Sequence, residues 1–193
     1  MASDQADRQL TADAEGTYLS KHAQDASKPL GQQHQHNDNA IRHAIDLGGA
    51  TGLTTLGVRL VRVKEGHDST EFHRHLNDEE FVYILSGQGV ARVGESQFEI
   101  HAGDYLGYRK NGPAHCLSNP YEEDLVYLMA GTRSDVDICE YPDLQIRQIR
   151  VDGVRYAAKT EDFSLVSSKP LTDADDHATL KTLVTTEDPD ATS

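Results

Sequence analysis

Residues 66–87 read GHDSTEFHRHLNDEEFVYILSG. On a β-strand, side chains two apart share a face, so His73 and His75 point one way and Arg74 the other. Glu79 and Glu80 follow after a short loop. The run Glu80–Leu85 is apolar at almost every later position, which suits a strand covered on both faces. Gly66 and Gly87 punctuate the stretch at either end. Two imidazoles on one face, a carboxylate on the next strand and the imidazole of His115 further along make a mixed nitrogen and oxygen donor set. That set suits one divalent transition metal: Fe, Mn, Ni, Co or Zn. Taken alone, a His-x-His triplet reads equally well as a chance pair of exposed histidines.

Outward from this stretch, the chain keeps the same strand-and-turn rhythm. Thr54–Val63 (TTLGVRLVRV) is rich in β-branched residues with partial period-two alternation. Gln88–His101 reads as a hairpin around Gly94-Glu95-Ser96, and Ala102-Gly103-Asp104 turns into Tyr105–Tyr108. Asn111-Gly112-Pro113 breaks the chain before Ala114–Leu117, and Asp124–Met129 is the last dense strand. Ile146–Val151 and Val154–Ala158 flank Asp152-Gly153, a type I′ hairpin signal. No helical period survives in the core. Short strands at close spacing with glycine-rich turns predict an all-β sandwich or barrel.

The 193 residues suit one domain. Residues 1–39 are polar and predict a mobile arm, 40–160 a barrel with flanking strands, and 161–193 a loose tail. Within the arm, the tract Gln32-Gln33-His34-Gln35-His36-Asn37 reads as solvated, although histidine tracts bind metal opportunistically. A net charge of −14 without a basic patch argues against nucleic acid as a partner. No apolar run approaches the ~20 residues of a membrane span, and MASDQADRQL lacks the basic start and apolar stretch of a signal peptide. Two cysteines, Cys116 and Cys139, make no disulfide frame and no thiolate zinc motif. A soluble, cytoplasmic protein is expected.

With both ends of the core on view, a resemblance emerges. Gly66 through Gly87, with His73, His75 and Glu80, resembles the first motif of the cupin superfamily, and Gly103-Asp104, Gly112, His115 and Asn119 resemble the second. The likeness runs from about Leu53 to Gly131, and flanking segments resemble a group of small, single-domain cupins. It implies a single-domain cupin fold, a double-stranded antiparallel jelly-roll barrel, with one metal inside its mouth and commonly a homodimer. The implied ligands are His73, His75, Glu80 and His115. Glu80 is preferred to Glu79 because it lies six residues before Gly87 and shares strand parity with Val82 and Ile84. Two departures stand out. The first motif has one extra residue between Gly66 and His73. In the second, Lys110 replaces a common proline, and six residues rather than five separate it from Gly103.

Four protein ligands on an octahedral ion leave two positions open, so the expected function is a metal-dependent enzyme on a small organic substrate, with the ion as Lewis acid or oxygen activator. A dioxygenase, isomerase, decarboxylase or lyase would all suit the fold. The alternative is a non-catalytic module for a sugar or other small molecule, its metal structural or ligand-orienting. Tyr83, Tyr105, Tyr108 and Tyr127 are candidate phenols at the mouth, and Arg59 or Arg92 candidates for a substrate carboxylate. Each has a plainer reading as a packed aromatic or a solvated strand charge. His67 and His101 fall outside the motifs, and Cys116, next to His115, should face away from the metal.

Overall fold

Alternating side chains and glycine-bearing turns produce a succession of strands with little helix. In the computed structural model, which describes residues 15–26, 29, 31–164 and 166, the order is α1 (Lys21–Ala26), β1 (Gln32–His34), β2 (Asn37–Asp46), α2 (Leu47–Ala50), β3 (Leu56–Val63), β4 (His67–Asp68) and β5 (Arg74–His75). There follow β6 (Glu80–Ser86), β7 (Gln88–Val93), β8 (Ser96–His101), β9 (Tyr105–Tyr108), β10 (His115–Asn119), β11 (Leu125–Thr132), β12 (Val136–Tyr141), β13 (Ile146–Val151) and β14 (Val154–Lys159). The chain divides into two units after Asp162, and every strand among the described residues belongs to the first. In the second, Phe163, Ser164 and Val166 are described, all exposed. Among the described residues, no helix is long and apolar enough to cross a membrane.

The larger sheet runs β8-β7-β10-β4-β2-β3-β11-β6-β9, with β1 added to β2. Its pairings are antiparallel except for one parallel bridge, Ala40 to Asp68. Because β6 passes straight into β7 at Gly87, the two ends of this path meet and the sheet folds over into a jelly-roll barrel. Gly87 has φ +76°, and a Cβ there would sit 2.3 Å from the Asp124 carbonyl oxygen. Only glycine fits that corner. The turn after β8 is tied to β6 by Gly103 N–H donating to the Ile84 carbonyl at 2.9 Å and Ile84 N–H donating to the Asp104 carbonyl at 2.9 Å.

Period two fills the interior. Val61, Val63, Val82, Ile84, Ala91, Ile100, Leu106, Leu117, Leu125 and Tyr127 are all buried in one cluster, each large aliphatic contributing about 1.5–3 kcal/mol by leaving water. The expectation that Glu80–Leu85 would be covered on both faces is corrected: Val82 and Ile84 are buried, but Tyr83 and Leu85 are 42% and 47% exposed. The Asp152-Gly153 hairpin forms as read, with both residues at positive φ.

A second sheet, β14-β13-β12-β5, carries His75 at its edge. Strand β12 escaped the sequence reading because its polarity is inverted: Asp137, Cys139 and Tyr141 are buried while Val136 is exposed. The arm reading of residues 1–39 is also corrected in part. The chain from Gln32 is in paired strands, β1 against β2 and β2 against β3, and Gln35 Nε2 donates to Gln148 Oε1 at 2.6 Å. The mostly exposed side chains of 37–39 hide this from a composition argument, because Asn37 pairs with His34 and the amides of Asn37 and Asn39 donate to Asp68 Oδ2 at 3.4 and 3.2 Å without apolar burial. The outermost parts of both expected tails, 1–14 and 167–193, lie outside the described residues.

Candidate metal centre

The four sequence-predicted ligands come from four places in the fold. His73 and His115 form an isolated antiparallel bridge, each N–H donating to the other's carbonyl, at 3.1 and 2.7 Å. His75 ends β5, and Glu80 opens β6 on the same inward parity as Val82 and Ile84. Donor atoms of His73, Glu80 and His115 lie within 4.8 Å of one another. His75 falls in an adjoining set with His73 and Cys139, so His73 belongs to both. The loop in which Lys110 replaces a common proline reaches the site through Asn111, at φ +52°, whose N–H donates to the His75 carbonyl at 2.7 Å.

The ring nitrogens are pre-assigned. Nδ1 of His73 faces the Glu71 carbonyl at 2.9 Å, Nδ1 of His75 the Asp137 carboxylate at 2.6 Å, and Nδ1 of His115 the Pro113 carbonyl at 3.4 Å. An Nδ1 proton satisfies each oxygen and leaves the lone pair on Nε2, the tautomer of a metal ligand. Nε2 of His115 is buried without a hydrogen-bond partner, 3.6 Å from Glu80 Oε2. A buried nitrogen lone pair beside a carboxylate is costly unless something cationic completes it. The donors therefore fit a divalent cation.

Protonation states agree for His73 and Glu80, and His75 differs. Burial and the imidazoles of His115 and His75 push His73 down to about 3, which keeps it neutral. Burial raises the Glu80 carboxyl, but the surrounding imidazoles outweigh it and hold the group ionised. For His75, burial is outweighed by the Asp137 hydrogen bond and nearby carboxylates, which raise it.

The tyrosine candidates divide by parity. Tyr108 stacks on His115 with 3.5 Å between centroids and 3° between planes, and its hydroxyl is buried and unpartnered. Tyr127 is buried in the interior, and both phenols are pushed far up by burial, so they stay protonated. Tyr83 and Tyr105 are corrected: they sit opposite each other on the outer face, 42% and 65% exposed, away from the cavity. Arg59 lines the cavity, whereas Arg92 is committed elsewhere, paired with Asp143 at 2.6 and 3.3 Å and lying over the Phe72 ring. Cys116 is half-buried beside His115.

Sequence reasoning missed Asp137, Cys139 and Tyr141, all on β12, whose odd positions share one face. It also missed the role of the histidine tract. The rings of His34 and His36 pack against Tyr141 at 5.6 and 5.2 Å, and Tyr141 lies 6.1 Å from His73. The His34 Nδ1 accepts from the His36 N–H at 3.2 Å, and burial and His36 push that ring down to about 4. His34 thus presents a neutral ring with an Nε2–H donor. His34, His73, Asp137, Cys139 and Tyr141 border a cavity of about 530 Å³ at the barrel mouth.

Comparison with known proteins gives the family. The Cupin domain family matches residues 59–131. A solved structure from Acidithiobacillus ferrooxidans, named "Putative sugar phosphate isomerase", is 33% identical, with 78% of this chain and 96% of that one covered at a TM-score of 0.75. This chain belongs to the cupin superfamily. A second cupin structure, a sugar phosphate isomerase from Silicibacter pomeroyi, is 23% identical over 73% of this chain and 92% of that one, with a TM-score of 0.64, and is similar in fold. Among functionally curated proteins, no match is found. As a cupin, the chain places its candidate ligands where its two motifs meet, at the ends of β5, β6 and β10.

Proposed function

We propose that this cupin is a metal-dependent enzyme that isomerises a small sugar phosphate. The observation that carries the reading is the buried, unpartnered Nε2 of His115 beside an ionised Glu80, at the edge of a cavity large enough for a small organic molecule. The 33% identical relative supports the substrate class. His73, His75, Glu80 and His115 would hold the ion, and Asp137 would fix the His75 ring. A divalent ion there supplies Lewis-acid polarisation of a substrate carbonyl or hydroxyl. The chain's own groups do the rest. The phenols of Tyr108 and Tyr127, kept protonated by burial, and the Nε2–H of His34 are hydrogen-bond donors suited to sugar oxygens. We also infer a homodimer that covers the outer face of β6 and β9.

The test is direct. Protein stripped of metal and reloaded separately with Fe, Mn, Ni, Co or Zn is mixed with aldose and ketose phosphates, and interconversion is followed by NMR. Metal-dependent interconversion, lost in His115→Ala, is the expected result. Binding without turnover in every metal form would replace the enzyme with a non-catalytic sugar-binding module.

A further inference from the structure

We infer that the same cavity carries a built phosphate subsite, made by the guanidinium groups of Arg42 and Arg59 with Arg133 and Arg155 beside them. The inference rests on the substrate class proposed above and names the residues that take its charged end.

Strand parity puts the first two inside. On β2, Ala40, Arg42, Ala44 and Asp46 alternate onto the inner face, Ala40 being buried and Ala44 packed on the core. On β3, Gly57 and Arg59 share the face of the fully buried Val61 and Val63. Arg59 stands opposite Asp46 on one side and Met129 on the other. All four arginines border the cavity.

Their charges are poorly matched within the chain. There are 32 acidic residues against 18 Lys and Arg, so carboxylates are in surplus. Several arginines use them: Arg74 and Arg147 pair with Glu140, and Arg150 with Asp78. Arg42, Arg59 and Arg155, in contrast, have no side-chain hydrogen bond or ion pair among the described residues. Arg133 reaches only Asp46, at 3.7 Å, and Asp46 already accepts from Gly49 N–H at 3.0 Å. Arg59 is half-buried, and burial together with Arg42, Arg133 and Arg155 lowers its pKa against the single opposing carboxylate of Asp46. Gathering like charges around the half-buried Arg59 is unfavourable unless an anion joins them. Guanidinium forks match phosphate oxygens bidentately, and several of them suit a dianion better than one carboxylate.

The spacing from the metal ligands suits a substrate held at both ends. Gly131 on β11 pairs with Glu80 of β6 and with Gly57 of β3. Arg59 is therefore two strands across from Glu80, about 10 Å, and one inward position along, about 7 Å. A molecule of several carbons fits between a phosphate on Arg59 and an oxygen at the ligands.

The experiment uses metal-stripped full-length protein and isothermal titration with three probes: ribose 5-phosphate, inorganic phosphate and ribose. Ribose 5-phosphate should bind, inorganic phosphate more weakly, and ribose not measurably. Arg59→Gln and Arg42→Gln should each weaken both phosphate probes about tenfold or more. Arg62→Gln, on the outer face of β3 and paired with Asp124 at 3.5 Å, should change nothing. His115→Ala should retain phosphate binding while losing metal, so failure of the isomerase reading would leave the subsite standing. Equal affinity for inorganic phosphate and ribose 5-phosphate would overturn the assignment to a phosphorylated substrate. Unchanged binding in either arginine variant with wild-type melting would overturn the subsite itself.

Discussion

Asp137 holds the ring of His75 from behind, at 2.6 Å through Nδ1, and the same carboxylate accepts from the backbone N–H groups of Asn77 and Asp78 at 3.2 Å each. It therefore fixes both an imidazole and the loop that leads to Glu80. Asp137→Asn should weaken metal binding about 10–100-fold, as loss of a carboxylate behind a ligating histidine generally does, measured by competition with a chromophoric chelator. Glu80→Gln should weaken it further, and Glu79→Gln, which changes an exposed side chain, should leave it alone. His73→Ala should empty the site by elemental analysis, whereas His34→Ala with His36→Ala should not, since those rings pack on Tyr141 rather than join the donor set. Equal metal content in wild type and His73→Ala would refute the assignment. At this scale much is legible in the sequence. The His-x-His spacing and the parity of Glu80 bring His73, Glu80 and His115 together. Asp137 is not legible, because a buried acid between Val136 and Ile138 looks like an exposed one until its partner is known. Tyr83 shares parity with Phe81 and Leu85, which already argues for its outward place.

Strand β12 links the two sheets' chemistry. Its Cys139 and Glu140 stand opposite His75 and Arg74 of β5, while its other edge pairs with β13. Glu140 accepts from Arg74 Nε at 2.7 Å and from Arg147. Burial raises its carboxyl, but those two guanidinium groups outweigh that and lower it below the usual glutamate range. A carboxyl lowered on folding stabilises the protein above its unfolded pKa of about 4.3 and ceases to do so as pH falls through the folded value. Glu140→Gln should thus cost about 1–2 kcal/mol at pH 7, the guanidinium groups being partly solvated. The gap to wild type should close as pH falls below about 4, read by urea unfolding across pH. A constant gap at all pH values would exclude this ion pair as the source. The hairpins on either side of Gly94 and Gly153 are readable from local turn chemistry, because each depends on neighbours in sequence. The pairing of β5 with β12 spans more than sixty residues, and no local signal encodes it.

For the whole molecule, the charge balance and the apolar outer face pull in opposite directions. Tyr83 and Tyr105 face each other across β6 and β9, Tyr105 stacks on Phe81 at 5.7 Å, and Leu85 extends the patch. A second copy meeting this face would bury it, and two-fold pairs are the commonest assemblies. With a net charge of −14 on each chain, repulsion opposes that pairing and salt relieves it. Sedimentation velocity at micromolar concentration should show a dimer that strengthens from low to moderate ionic strength, and Tyr83→Glu should dissociate it. A strict monomer at every salt concentration would remove the homodimer.

The strand order β7-β10-β4-β2-β3 interleaves segments far apart in the chain, and the bridge between His73 and His115 joins residues separated in sequence by β5 to β9. Folds dominated by such distant pairings cross their barrier slowly, in milliseconds to seconds. A donor set that depends on so distant a pairing should be completed late, on the native side of that barrier. A divalent ion should leave the refolding rate almost unchanged and slow unfolding instead, since interactions absent from the transition state act on the unfolding limb. Stopped-flow chevrons with and without metal should differ in that limb alone. The ion then protects the finished barrel and takes no part in building it.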